Sequence, residues 1–164
     1  PVVFEKLPEV NAAYDSGRCD AYTTDASGLY ATRLTLTNPD DHVILPEIIS
    51  KEPLGPVVRQ GDDKWYAIVK WVHFALLDAE EQGVGQATIA EAKQSTKPDV
   101  RRLMGLDGDF GPGLGLSKDW AANMLEKVGN YGESFERNLI PLGVARGINK
   151  LWNQGGLMYA PPLR

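Results

Sequence analysis

The opening segment of the chain alternates between extended and helical patterns, and this alternation constrains the fold more than any other feature. Residues 1–4 form a β-branched and aromatic run that predicts a strand. Residues 8–16 have helical spacing, with Pro8 near the first turn and Gly17 just past the end. Residues 19–24 then predict a second strand. Because parallel strands are joined through a helix, this order indicates an α/β architecture with parallel pairing.

A proline-rich segment separates this α/β pattern from a mostly helical remainder. Residues 51–56 read KEPLGP, and Pro53 and Pro56 exclude a helix there. The segment is therefore a candidate linker. A short helix at residues 26–33 is expected before it, and a short strand at residues 57–58 directly after it.

The longest helix is expected to follow the linker. Asp62 or Asp63 is placed to cap a helix of about 18 residues, and Gly83 is placed to stop it. One face of this helix should be buried, and His73 lies on or near that face, where a structural role is expected. The apolar residues that recur at helical spacing are Trp65, Ile68, Val69, Val72, Leu76 and Ala79.

Charge and cysteine content narrow the range of functions. The chain has 164 residues and a net charge of −5, with no basic run, so the surface has no electrostatic pattern for nucleic acid. Its 43% hydrophobic content is ordinary for a globular protein. Cys19 is the one cysteine, which excludes an internal disulfide and a zinc site built on paired cysteines. Because Cys19 lies inside a predicted strand, we expect it to be buried and inert.

No set of residues has the pattern of a catalytic or metal site. The glycine-rich residues 108–115 lack the Gly-Lys-Ser/Thr ending of a phosphate loop, and residues 107–109 are too short for a calcium loop. His42 borders a turn and is expected on the surface. Neither histidine has a serine, cysteine or metal-ligand partner at a telling spacing. We therefore predict that the protein is not an enzyme and uses no cofactor or metal.

The sequence is compatible with two roles for Asp25. An aspartate directly before a helix is commonly its N-cap. Asp25 would also lie at the carboxyl end of a parallel strand, where open α/β sheets bind their ligands. A carboxylate at that place suits a cationic group such as an ammonium, through charge-assisted hydrogen bonds. The two roles are compatible with each other.

Three motifs resemble one protein family. Gly17, Arg18, Asp20, Ala21 and Asp25 follow the pattern Gly-Arg-x-Asp-Ala-x-x-x-Asp, and residues 55–65 read GPVVRQGDDKW. The C-terminal region contains GNYGESFERN and ARGINKLWNQGGLMYAPPLR. In this order they resemble the periplasmic solute-binding proteins for polar amino acids. Within that family, the chain is most similar to the C-terminal half of the general L-amino-acid-binding proteins of bacterial ABC transporters.

This resemblance implies the C-terminal portion of a type II periplasmic binding protein fold, in which two α/β lobes are joined by crossing strands. Residues 1–45 would form part of lobe II, and residues 46–55 would form the lobe-to-lobe crossing. Residues 56–164 would form part of lobe I and a helical C-terminal extension. The family's N-terminal half, which holds the groups that bind the ligand α-carboxylate, is expected to be absent from this chain.

The resemblance also implies a ligand site. Asp25 would bind the α-ammonium of an amino acid, and Thr24 would face the cleft beside the ligand side chain. Leu7, with Lys6, would lie near the side-chain end of the pocket. The implied function is the periplasmic substrate-binding component of an amino-acid ABC transporter. It would bind L-amino acids with broad specificity and deliver them to the membrane permease, with no signal peptide in these residues.

Two alternatives remain open from the sequence. The first is a truncated, non-binding fragment, stabilised by self-association or domain swapping through the surface that the missing half would cover. In that case Cys19 could also have lost a disulfide partner outside the chain. The second is a ligand-sensing domain of a receptor, or part of a lytic enzyme, built on the same fold.

Overall fold

Helices and extended segments make up the structure, a computed structural model that describes residues 2–164. Its α-helices are α1 (Leu7–Asp15), α2 (Ala26–Arg33), α3 (Asp63–Glu81), α4 (Ile89–Ala92), α5 (Pro98–Leu103), α6 (Trp120–Val128) and α7 (Tyr131–Asn138). The 3-10 turns are Pro39–Asp41, Gln86–Thr88, Pro112–Leu114, Ile140–Leu142, Gly147–Asn149 and Trp152–Gln154. The chain divides into two compact units. The first extends to Leu54 and includes Leu142–Val144, and the second contains Gly55–Pro141 and Ala145–Arg164.

The first unit holds α1 and α2 and has a small buried interior. Its buried residues are Ala13 on α1, Thr32 on α2 and Leu36 in the turn that follows. Both helices begin within a residue of where the sequence predicts them, at Leu7 and Ala26. The predicted helices of this unit are therefore confirmed.

The second unit is organised around α3. Asp62 caps this helix by accepting a hydrogen bond from the backbone N–H of Trp65 at 3.0 Å, so the predicted start is confirmed. Its central and C-terminal turns pack against α5, α6 and α7, and Ala75, Leu77 and Ala79 are buried. The predicted buried face is wrong at its first position, because 52% of Trp65 is exposed.

Two groups of side chains form the interior of the second unit. In the first, Leu125 of α6 is completely buried, in a group that also contains buried residues of α3 and α5 and Val84. The second is smaller and contains Leu77, Leu151 and Ala160, with Phe74 and Tyr131 packed beside them. The C-terminal residues therefore contribute directly to the interior of this unit.

The strands predicted at residues 1–4, 19–24 and 57–58 are not formed in the part of the chain that the structure describes. Residue 1 lies outside the described residues, and the others lack a hydrogen-bonded neighbouring strand. A strand is stabilised by pairing with an adjacent strand, and an extended sequence without that neighbour stays irregular. The one bridge within residues 2–164 joins Leu151 to Met158 in parallel.

Candidate ammonium-binding site

Asp25 occupies the N-cap position of α2, but its side chain makes no capping hydrogen bond. Asp62 shows the alternative, because its carboxylate does cap the first turn of α3. Both aspartates therefore stand at a helix N-cap position, but only the side chain of Asp62 makes a capping hydrogen bond. Asp25 as a whole residue is partly exposed to solvent. Its position favours helix formation only through the negative charge beside the helix N-terminus.

No basic side chain of residues 2–164 pairs with Asp25. The ion pairs in this range join other residues and all lie in the second unit: Lys93–Glu126, Arg101–Asp107, Arg102–Asp99 and Arg146–Glu80. A partly buried carboxylate that has neither a capping bond nor a cationic neighbour retains its capacity to accept hydrogen bonds. This geometry is suited to an external cation.

Thr24 directly precedes Asp25 and is exposed. Its side chain folds toward the first turn of α2, since a Cβ built on Gly28 would lie 3.3 Å from Thr24 Cγ2 and 3.8 Å from Oγ1. The absence of a side chain at Gly28 therefore provides the space that Thr24 occupies. The hydroxyl and the carboxylate of two consecutive residues are thereby presented at the start of one helix.

Leu7 is the third predicted site residue and begins α1, with 60% of its side chain exposed. Lys6, at the N-cap position, provides no side-chain capping bond. Leu7 belongs to the same compact unit as Asp25 but stands at the start of a different helix. The apolar side chain of Leu7 is therefore available for contact. Of the three predicted site residues, only Thr24 and Asp25 are direct neighbours in the structure.

Tyrosine contacts anchor the segment that leads to Asp25. Tyr22 donates its hydroxyl proton to Asn11 Oδ1 on α1 at 3.0 Å, and the ring of Tyr22 lies 5.7 Å from that of Tyr14. The hydroxyl of Tyr14 is hydrogen-bonded to Nδ1 of His42 at 2.9 Å. His42 is accordingly only partly exposed. These anchoring residues are 11 to 28 positions apart, so local sequence patterns did not reveal them.

Asp15 fixes the other end of α1. Its carboxylate accepts hydrogen bonds from the hydroxyl of Thr37 at 2.7 Å and from the backbone N–H of Thr37 at 2.9 Å. The hydroxyl bond is the main reason that the pKa of Asp15 lies below its ordinary value. Asp15 is therefore committed to a structural contact, unlike Asp25.

The remaining polar residues that the sequence singled out have ordinary surroundings. His73 of α3 packs edge-on against the ring of Tyr131 at 6.0 Å, and burial lowers its pKa. Cys19 is only partly buried, less than was predicted, and the strand that was predicted to contain it is not formed. Gly111 in the glycine-rich loop packs closely against the backbone of Ser117 and the ring of Trp120, which indicates a packing role.

Other kinds of site have no support in the described residues. Across residues 2–164, no three histidine, cysteine, aspartate or glutamate side chains come together as a possible metal site. In the same range, none of the helices combines the length and apolar character that membrane crossing requires. Two shallow depressions, at the start of α3 and beside α4, are not lined by Asp25, Thr24 or Leu7. Thr24 and Leu7 are exposed and Asp25 is partly exposed, so the candidate ammonium site is open to solvent.

Comparison with known proteins identifies relatives over the full length of the chain, although no family model matches. The chain is 64% identical, over 169 aligned residues, to the general L-amino acid-binding periplasmic protein AapJ of Rhizobium johnstonii, and covers 50% of it. It is 53% identical to the glutamate/glutamine/aspartate/asparagine-binding protein BztA of Rhodobacter capsulatus, again covering 50%. All of the chain aligns with each of these relatives.

A solved structure gives the same result at the level of the fold. An ABC transporter/periplasmic binding protein from Brucella ovis, with glutathione bound, superposes on the chain with a TM-score of 0.93 and 61% sequence identity. The match covers 100% of this chain and 53% of the Brucella protein. The chain thus spans about half the length of the relatives that it matches.

Proposed function

We propose, from the homology of the whole chain to periplasmic binding proteins of amino-acid ABC transporters, that this chain is the ammonium-binding part of such a protein. The complete protein would bind L-amino acids of broad specificity in the periplasm and deliver them to a membrane permease. The relatives are named as binding proteins, and the Brucella relative also as an ABC transporter protein, which supports a non-catalytic role for this chain.

The observation that carries this proposal is the uncommitted carboxylate of Asp25. It makes no capping bond to α2 and no ion pair with the described residues. A carboxylate in that state can accept charge-assisted hydrogen bonds from the α-ammonium that all L-amino acids except proline carry. A site that binds the α-ammonium, which these ligands share, would have broad specificity.

Thr24 and Leu7 have supporting roles in this proposal. Thr24 is exposed and directly precedes Asp25, and its hydroxyl can donate to, or accept from, a polar ligand side chain. Leu7 offers an exposed apolar surface at the start of α1 for the far end of that side chain. Neither residue would distinguish strongly between ligands, since neither forms a closed pocket in this chain.

We also propose the lobe assignment that the family fold implies. Residues 1–45 would belong to lobe II, residues 46–55 to the crossing, and residues 56–164 to lobe I with its helical extension. The change of compact unit between Leu54 and Gly55 supports a boundary at the end of the crossing. Residues 46–55 contain no helix or strand, as expected of a connecting segment whose partners lie elsewhere.

Because the site is open in this chain, we expect it to bind an amino acid more weakly than a complete binding protein would. An ion pair at an exposed surface contributes about 0–1 kcal/mol, because water competes for both charges. In a complete protein the other half would enclose the ligand and bind its carboxylate. Removing one partner of an enclosed charge pair costs on the order of 2–5 kcal/mol. The proposal therefore predicts weak binding by these 164 residues alone and strong dependence on Asp25 in the complete protein.

Glutathione carries the groups that the proposed ammonium site would bind. Its γ-glutamyl residue carries a free α-ammonium and α-carboxylate, so it presents the groups of an amino acid at one end of a longer molecule. Glutathione is bound in the Brucella relative. We therefore include γ-glutamyl peptides, together with free L-amino acids, in the proposed ligand class.

The test is calorimetric titration of the complete protein with L-glutamate, glutathione and glutarate, which is glutamate without its ammonium group. Asp25→Asn should weaken binding of L-glutamate and glutathione by about 30-fold or more, as expected for a loss of at least 2 kcal/mol. The variant should not weaken binding of glutarate further, because that ligand has no ammonium to lose. Asp20→Asn, at an exposed position five residues earlier, is the matched control. Wild-type affinity for L-glutamate in Asp25→Asn would show that Asp25 is not the ammonium ligand.

The exposed apolar residues of the connecting region favour a second property of the isolated chain. Val43, Leu45, Ile49 and Val57 are 71–94% exposed, and they lie in segments without strand partners. An apolar extended segment of this kind pairs readily with another chain. If these 164 residues exist alone, we propose that they self-associate or swap domains, which sedimentation velocity over a range of concentrations will detect.

A further inference from the structure

A short segment of the C-terminal region belongs to the first compact unit. Leu142–Val144 group with the residues up to Leu54, although the residues on either side of this segment belong to the second unit. Its two apolar side chains are partly buried, and Gly143 between them is exposed. We use the name returning loop for residues 142–144. The first unit is therefore completed by residues that lie far away in the sequence.

The returning loop lies against α2 through Gly143 and Tyr30. A Cβ built on Gly143 would lie 3.5 Å from Cε1 and 3.8 Å from Cδ1 of the Tyr30 ring, which is ordinary van der Waals contact. Tyr30 is accordingly partly buried. Gly143 has a φ of 89°, a left-handed conformation that residues with a side chain rarely adopt. Glycine therefore allows the chain to turn after Ile140–Leu142 while it lies close to the ring.

Helix α2 depends on such contacts to keep its position. It has 8 residues, and a helix of that length is only marginally stable without packing. Thr32 is its buried residue, and the side chain of Asp25 adds no capping bond at its start. Contacts with residues outside the helix must therefore hold α2 in place, and the ring of Tyr30 makes one of them.

The position of α2 in turn determines the position of Asp25. The backbone carbonyl of Asp25 accepts a hydrogen bond from the N–H of Leu29 at 2.9 Å, so Asp25 takes part in the first turn of the helix. Tyr30 directly follows Leu29. A displacement of α2 at Tyr30 would therefore also move the backbone that carries the Asp25 carboxylate.

We propose that the returning loop holds α2 in the position that ammonium binding requires, and that Tyr30 and Gly143 are positioning residues for Asp25. This inference rests on the proposed function of Asp25. Neither positioning residue needs to touch the ligand, since both act through the helix. The C-terminal region thereby contributes to a binding site whose carboxylate lies near the other end of the chain.

Hydrogen–deuterium exchange of the complete, ligand-free protein, measured by mass spectrometry, tests the contact itself. Gly143→Ala introduces a side chain where the backbone disfavours one and should displace the loop. Peptides from α2 should then exchange about tenfold faster than in the wild type, while those from α3 remain unchanged. Gly155→Ala is the matched control, because Gly155 also follows a 3-10 turn, has a φ of 82° and has open space where a Cβ would lie. Tyr30→Phe keeps the ring and should retain the protection of α2, whereas Tyr30→Ala should lose it.

Calorimetric titration of the complete protein with L-glutamate tests the positioning of Asp25. Gly143→Ala should weaken binding about tenfold, because the carboxylate is displaced from the ammonium. In the Asp25→Asn background, Gly143→Ala should weaken binding no further, since the loop acts through that carboxylate. Glutarate, which has no ammonium group, should bind Gly143→Ala and the wild type equally well.

The outcomes separate this inference from the proposed function. Unchanged exchange of α2 in Gly143→Ala and Tyr30→Ala would overturn the role of the returning loop. Wild-type affinity for L-glutamate in Gly143→Ala, together with a loss in Asp25→Asn, would refute the positioning role alone, as would losses in the two variants that simply add. Wild-type affinity in Asp25→Asn would instead refute the ammonium site itself.

Discussion

The guanidinium of Arg146 donates to the carboxylate of Glu80 at 2.9 Å, and only 14% and 13% of these two side chains are exposed. The residues are 66 positions apart and join the segment after α7 to the C-terminal turn of α3. The guanidinium also lies over the rings of Tyr131 and Phe135, at 5.3 and 5.2 Å from their centroids. A buried charge with these contacts becomes costly when its partner is removed.

Arg146→Met should therefore lower the free energy of unfolding by about 3 kcal/mol, because it leaves Glu80 buried and unpaired. Urea denaturation, followed by tryptophan fluorescence, measures the loss. The double variant Glu80→Gln/Arg146→Met should recover part of it, since the unpaired charge is then absent. A loss of less than 1 kcal/mol in Arg146→Met would mean that the pair contributes no more than an exposed one.

A side chain at Gly156 is also expected to destabilise the folded protein. A Cβ built there would overlap the backbone carbonyl of Lys150, because the chain folds back closely between Leu151 and Met158. Gly156→Ala must therefore displace backbone that forms the hydrogen bonds from Gly156 N to Leu151 O and from Met158 N to Lys150 O. We expect a loss of about 3 kcal/mol or more in thermal or urea unfolding.

Gly113→Ala is the matched control for that experiment. A Cβ on Gly113 meets no atom within 4 Å, and the residue has no left-handed backbone conformation. Its substitution should change the free energy of unfolding by less than about 1 kcal/mol in either direction. Equal effects of the two substitutions would contradict the close approach at Gly156.

The raised pKa of Asp78 predicts a pH dependence of global stability. Its pKa in the folded protein is about 6, above the ordinary value of 3.8, so protonation favours the folded state. This contribution is complete below about pH 4 and is lost as the pH rises through about 6. Relative to the wild type, Asp78→Asn should thus gain about 1 kcal/mol between pH 4 and 7, after allowance for solvent around a half-buried group.

Urea denaturation at several pH values checks this prediction, with Glu136→Gln as the control at an exposed position. The stability difference between the control and the wild type should not show the same rise between pH 4 and 7. A constant difference between Asp78→Asn and the wild type across that range would place the pKa of Asp78 near its ordinary value.

Local sequence signals were sufficient to predict helices α1, α2 and α3. They were also sufficient to identify Asp25 as a candidate ligand-binding residue. The prolines, glycines and aspartates at helix ends predicted α1, α2 and α3 because capping and termination depend on neighbouring residues. Asp25 was identified in the same way, since its place between an extended segment and a helix is local information. The similarity of the chain to amino-acid transport proteins also followed from motifs that are contiguous in the sequence.

Only the tertiary structure decided which of these groups have partners. It showed that Asp62 caps its helix while Asp25 does not, and that burial raises the pKa of Asp78. Within residues 2–164 it also left the predicted strands unformed, because a strand requires hydrogen bonds from a neighbour that is often far away in sequence. Helix ends are determined within a few residues, whereas strand pairing, buried ion pairs and the pKa of a carboxyl group depend on residues brought together by the fold.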